Sequence, residues 1–106
     1  MYNIVFSPYA IRDLEETKEY IVKELCNDQA AMKTVSEILR KIRTLSRFPE
    51  SAPLLSSIVG FDTNYRFLVC GNYIAFYRFE EKEVRIARIL YGRRNFMQIL
   101  FGEPEK

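Results

Sequence analysis

Arg88-Ile89-Leu90-Tyr91-Gly92-Arg93-Arg94-Asn95-Phe96 couples a β-forming run to a paired-arginine turn and then to an apolar tail. Two further runs precede it, Tyr65-Arg66-Phe67-Leu68-Val69-Cys70 and Asn72-Tyr73-Ile74-Ala75-Phe76-Tyr77-Arg78-Phe79, both rich in the aromatic and β-branched residues that suit a pleated, half-buried surface. Gly71-Asn72 and Glu80-Glu81-Lys82-Glu83 separate the runs, each short enough for an antiparallel hairpin. Because strand side chains alternate, Val84, Ile86, Arg88 and Leu90 are expected on one face of the last strand, and Arg85, Ala87, Ile89 and Tyr91 on the other. Arg66 and Tyr91 are then expected on one sheet, where the polar groups able to act on a partner converge.

Working back toward the N-terminus, Tyr2-Asn3-Ile4-Val5-Phe6 reads as a strand running into Ser7-Pro8, an N-cap followed by proline at the first helical position. From Pro8 to Cys26, Ala10, Leu14, Thr17, Ile21 and Leu25 recur at helical spacing against a charged back. Asn27-Asp28 interrupts the pattern, Asn as the left-handed end of one helix and Asp as the cap of the next. The second helix carries Ala31, Val35, Ile38, Ile42 and Leu45 on one stripe and ends before Pro49. A long loop with Pro53, Ser56, Ser57, Gly60 and Asp62 follows, free of lysine and arginine. The order is β-α-α-β-β-β. That makes an α+β fold, with a helical hairpin on one face of a mainly antiparallel four-stranded sheet. Phe96, Ile99 and Leu100 should dock on the sheet, and residues 103–106 should fray.

The 106 residues, 48% hydrophobic and 28% charged, suit one domain spanning residues 1–106 and leave no room for a second core. No segment is apolar over the ~18 residues a membrane span needs, so no membrane partner and a cytoplasmic location are expected. The chain has no histidine, and Cys26 and Cys70 lack zinc or redox spacing; both are expected as packed, reduced thiols. Histidine-based nucleophilic pairs are thereby excluded, and neither a metal nor another cofactor is expected. Net charge is only +2, yet residues 31–48 carry five Lys/Arg against one Asp/Glu and residues 65–95 seven against three. Such local basic patches fit an anionic partner, phosphate or acidic peptide, or else plain solvated faces.

Taken together, Ile4-Val5-Phe6-Ser7-Pro8-Tyr9-Ala10 with Asp13-Leu14, the exit Leu45-Ser46-Arg47-Phe48-Pro49, Tyr65-Arg66, Asn72-Tyr73-Ile74-Ala75-Phe76-Tyr77 and Arg88-Ile89-Leu90-Tyr91-Gly92-Arg93-Arg94 resemble the RelE/ParE superfamily of bacterial type II toxins. The resemblance implies a growth inhibitor of a toxin-antitoxin (plasmid stabilisation) system, neutralised by a cognate antitoxin in a complex expected to be oligomeric. Two activities occur in the superfamily. ParE-like members inhibit DNA gyrase, and RelE-like members cut messenger RNA on the ribosome as metal-independent endoribonucleases. Under the nuclease reading Arg66, Tyr91, Arg93 and Arg94 are the catalytic candidates: Arg66 would hold the phosphate bidentately, Arg93 and Arg94 would add charge, and Tyr91 would stack on a base or assist proton transfer. Under the binding reading Arg85, Arg88, Arg93, Arg94, Tyr73 and Tyr77 are the contacts to target or antitoxin. The missing lysines between Lys41 and Lys82, the missing histidine, and helices of roughly 18–20 residues by periodicity favour the gyrase branch.

Overall fold

The computed structural model describes residues 1–92 and 94–102. Strand β1 (Asn3–Phe6) leads into helices α1 (Pro8–Leu25) and α2 (Asp28–Arg43), which ends in a 3-10 turn over Thr44–Ser46. A single-turn helix α3 (Ser56–Val59) lies in the long connection, followed by β2 (Arg66–Cys70), β3 (Tyr73–Glu80), β4 (Glu83–Tyr91) and a short α4 (Phe96–Phe101). The sheet order is β1-β4-β3-β2, with β1 parallel to β4 and the remaining pairs antiparallel. The expected α+β arrangement is the one observed.

Local chemistry explains the helix boundaries. Ser7 Oγ accepts from the Ala10 amide at 3.0 Å, and Pro8 occupies the first helical position, where its missing N–H costs nothing. Between the helices the caps sit one residue earlier than the sequence suggests: Cys26 adopts the left-handed conformation (φ 49°), and Asn27 caps α2 by accepting from the Ala30 amide at 3.0 Å. Asn27 is displaced from its expected place because its carboxamide satisfies an otherwise unpaired helix-terminal N–H. Cys26 is exposed as a result, against the expectation of a packed thiol, while Cys70 is buried.

The sheet carries two clusters. On the hairpin side Ala10, Ile38, Ile42 and Leu45 pack with Ala75, Tyr77, Val84, Ile86 and Ile89. On the other side α4 and the segment around α3 cover Leu55, Phe76 and Leu90, with Phe96 stacked on Phe76 at 5.2 Å. The alternation expected for β4 breaks midway. Phe76 pairs with Arg88 but Tyr77 pairs with Ile86, which leaves Ala87 as the extra residue of a β-bulge. Val84 and Ile86 therefore face the hairpin before the bulge, Ile89 does so after it, and Leu90 turns to the opposite face. Val84, Ile86, Arg88 and Leu90 do not share one face, because one inserted residue reverses the period-2 pattern downstream. No helix among the described residues is long and apolar enough to cross a membrane.

Candidate functional site

β1 stops at Phe6, opposite Ile86, while β4 continues to Tyr91. Among the described residues its edge beyond Ile86 has no strand beside it on that side, and α1 supplies side chains in place of one. The Ser7 amide donates to the Ile86 carbonyl at 2.9 Å, Ser7 Oγ donates to the Ala87 carbonyl at 2.7 Å, and the Ile89 amide donates to Asp13 Oδ2 at 2.9 Å. Arg88, brought to this edge at the bulge, donates Nε to Asp13 Oδ2 and Nη2 to Asp13 Oδ1, both at 2.8 Å. Asp13 is 7% exposed, so its charge is compensated by a bidentate guanidinium and a backbone donor together. The hydrogen bonds to Asp13 raise the Arg88 pKa, against the lowering effect of burial, and the guanidinium also lies over the Tyr9 ring at 5.7 Å.

Past this anchor a cleft of about 540 Å³ opens between α1 and the end of β4, lined by Glu16, Thr17, Tyr20, Tyr73, Tyr91 and Arg94 among others. A second cleft, about 520 Å³, shares Tyr20, Tyr73 and Tyr91 and extends along α2 past Glu37, Arg40 and Lys41. Tyr20 and Tyr91 are 62% and 58% exposed, and Tyr73 meets Tyr91 edge to face at 5.3 Å. Burial raises the Tyr73 pKa, partly offset by a hydrogen bond with the Thr17 side chain. The chemistry is that of a recognition surface: rings that bury area at low entropy cost, with hydroxyls and mixed charges at the rim.

The structure gathers some of the expected site residues and separates the others. Tyr73, Tyr91 and Arg94 line the cleft, and Arg88 stands at its edge with its fork committed to Asp13. Arg66 is elsewhere: Nη1 donates to the Ala52 carbonyl at 2.7 Å and to the Glu50 carbonyl at 3.3 Å, and the guanidinium lies over Phe79 at 5.6 Å. In register Arg66 faces Tyr77 and Tyr91 faces Tyr73, so the two candidates are four β3 residues apart. At strand rise that is ~13 Å along the sheet, before the width of two inter-strand steps is added. Tyr77 is corrected outright as a contact residue: it is 0% exposed, its hydroxyl donates to the Pro49 carbonyl at 2.7 Å, and burial raises its pKa. Arg85 is exposed on the opposite face and paired with Glu83 at 2.9 Å. Arg93 lies outside the described residues. Asp13, Thr17 and Tyr20 are not among the site residues expected from the sequence. The available signal was Tyr20, an aromatic among Lys18, Glu19 and Lys23 on the charged side of α1.

Residues 4–96 match the family described as the ParE toxin of the type II toxin-antitoxin system parDE. The chain belongs to this family. This ParE-family toxin also shares its fold with a chain of the chromosomal ParDE toxin-antitoxin system from P. aeruginosa, at a TM-score of 0.74 and 22% identity over 88% of this chain and 98% of that one. The YoeB dimer from Staphylococcus aureus aligns with a TM-score of 0.58 and 22% identity, covering 85% and 95% of the two chains. The heterotetrameric YoeB-YefM toxin-antitoxin complex from the same organism gives 0.54 and 19% identity over 86% and 97%. A search among curated proteins finds no match.

Proposed function

We propose that this ParE-family toxin arrests growth by binding DNA gyrase rather than by cutting RNA, and that a cognate antitoxin silences it by lying along the tyrosine-lined clefts. The observation that carries the binding reading is the separation of Arg66 from Tyr91, with the Arg66 guanidinium already donating to Ala52 and Glu50 carbonyls. In-line attack on one phosphate needs positioning, proton transfer and charge stabilisation within hydrogen-bond reach of the same group. A binding inhibitor needs none of that convergence. The clefts suit an amphipathic antitoxin segment, since their exposed rings offer apolar anchors while Glu16, Glu37, Arg40 and Lys41 offer pairing at the rim.

Purified toxin tested against purified gyrase, without ribosomes, decides the matter: inhibition of supercoiling is the expected result. Messenger RNA cut inside codons in cells, with supercoiling unaffected, would establish the ribonuclease instead. Tyr91 and Arg94 lining one cleft is the feature that keeps this second reading in view.

A further inference from the structure

Among the described residues, the sheet face turned away from the hairpin is covered by α4 and the α3 segment around Phe76, Leu90 and their neighbours. Toward the β3–β4 turn the register sets Arg78 directly opposite Arg85, and Glu80 directly opposite Glu83. These side chains point away from the hairpin, because the intervening Tyr77, Phe79 and Val84 point into it. Like charges directly opposed on adjacent strands destabilise a sheet, and here one such pair follows another. Arg85 finds Glu83 on its own strand at 2.9 Å, whereas Arg78 lies over the Tyr65 ring at 5.4 Å. Tyr65 meets Phe101 edge to face at 5.7 Å, and Phe101 meets Phe61 likewise at 5.2 Å, leaving Phe61 42% exposed. A strip thus runs from an exposed phenylalanine through Phe101 and Tyr65 to Arg78 and, across the β3–β4 ladder, to Arg85, and none of its residues lines the tyrosine clefts.

We infer that this strip is the docking surface for the toxin's protein target, recognised by paired carboxylates placed over Arg78 and Arg85 with an apolar side chain against Phe61 and Phe101. The inference rests on the gyrase reading and adds where on the toxin the enzyme binds. Phenylalanine, tyrosine and arginine are residues enriched at interface cores. The carboxylate row selects a protein over a polynucleotide: a nucleic acid strand brings phosphates at every step and would set some against Glu80 and Glu83, whereas a folded surface can present both signs in register. Because strip and clefts are separate, target binding and antitoxin binding are separable by substitution.

The test compares supercoiling inhibition of purified gyrase by the wild type, by Arg78→Glu/Arg85→Glu, and by Arg78→Ala, Arg85→Ala and Phe61→Ser singly, with circular dichroism and Tm recorded for each. The double reversal should raise the half-inhibitory concentration by at least about tenfold, with intermediate losses for the single changes and retained secondary structure. The single changes keep the test valid if the double variant does not fold. Wild-type inhibition matched by well-folded single variants overturns the docking surface and leaves the gyrase reading intact. A wild type that leaves gyrase untouched overturns both. Displacement of gyrase from the wild type by single-stranded oligouridylate would identify a nucleic-acid surface and overturn the protein-docking assignment.

Discussion

Two arginines on either side of β3, Arg88 level with Phe76 and Arg66 level with Tyr77, anchor opposite edges of the sheet by different physics. Arg88 is fixed by a full opposite charge, with both Asp13 oxygens and the Ile89 amide in one cluster. Arg66 is fixed by neutral acceptors, the Ala52 and Glu50 carbonyls, beside a Tyr77 hydroxyl that holds the Pro49 carbonyl. The first arrangement closes an open strand edge; the second pins an irregular loop to an edge strand. The difference teaches that the residue type alone does not announce the role: both arginines look like anion binders in sequence, and both are committed internally.

The comparison breaks most visibly at Asp13. Asp13→Ala removes the acceptors of Arg88 and of the Ile89 amide at a site 7% exposed, so a loss of about 3 kcal/mol in urea unfolding is expected, the scale of an orphaned buried charge. Asp13→Asn, which keeps one acceptor oxygen, should recover part of it. A loss below about 0.5 kcal/mol for the alanine variant would mean the edge is not held by this ion pair. At the other edge Arg66→Ala gives up two carbonyl hydrogen bonds and the Phe79 stacking, with about 2 kcal/mol expected. It should leave gyrase inhibition unchanged, whereas a nuclease would lose its cutting rate. Tyr77→Phe is smaller again, about 1 kcal/mol for one buried hydroxyl whose acceptor is left unpaired. Equal effects at all three positions would erase the distinction between charged and neutral anchors.

The same contrast explains what was legible in the sequence. Helix starts were readable because Ser7-Pro8 and the apolar stripe act within a few residues of each other. Strand pairing was readable from two short turns. The bulge at Ala87 was not, because apolar residues flank it on both faces and either phase of alternation looks plausible. Nor was the Arg88 anchor, since its carboxylate lies 75 residues away. The clefts were half legible: Tyr73, Tyr91 and Arg94 stand on recognisable strand and turn residues, while Tyr20 and Thr17 join them only when α1 is laid along β4.

Alkaline titration separates the ion pair from the buried neutral groups most finely. Burial pushes the Cys70 thiol from 9.0 up to about 11, against a lowering from Lys41, and raises Tyr77 above 10.0. Each of these groups holds its proton more tightly folded than unfolded. Their contribution is therefore fully present below the unfolded value and is lost as pH rises through the folded one. Arg88, whose pKa the hydrogen bonds to Asp13 raise further, keeps its charge throughout this range. Unfolding free energy should be flat from neutrality to about pH 8 and then fall, by roughly 0.8 kcal/mol at pH 9.5 from the thiol alone. Cys70→Ala should remove most of the slope between about pH 8 and 10 whatever it does to absolute stability, while Tyr77→Phe should lessen the fall above about pH 10, the rest of which belongs to Tyr73. Asp13→Asn should change neither segment. A slope that survives Cys70→Ala but disappears in Asp13→Asn would place the alkaline sensitivity at the ion pair instead of at the buried thiol.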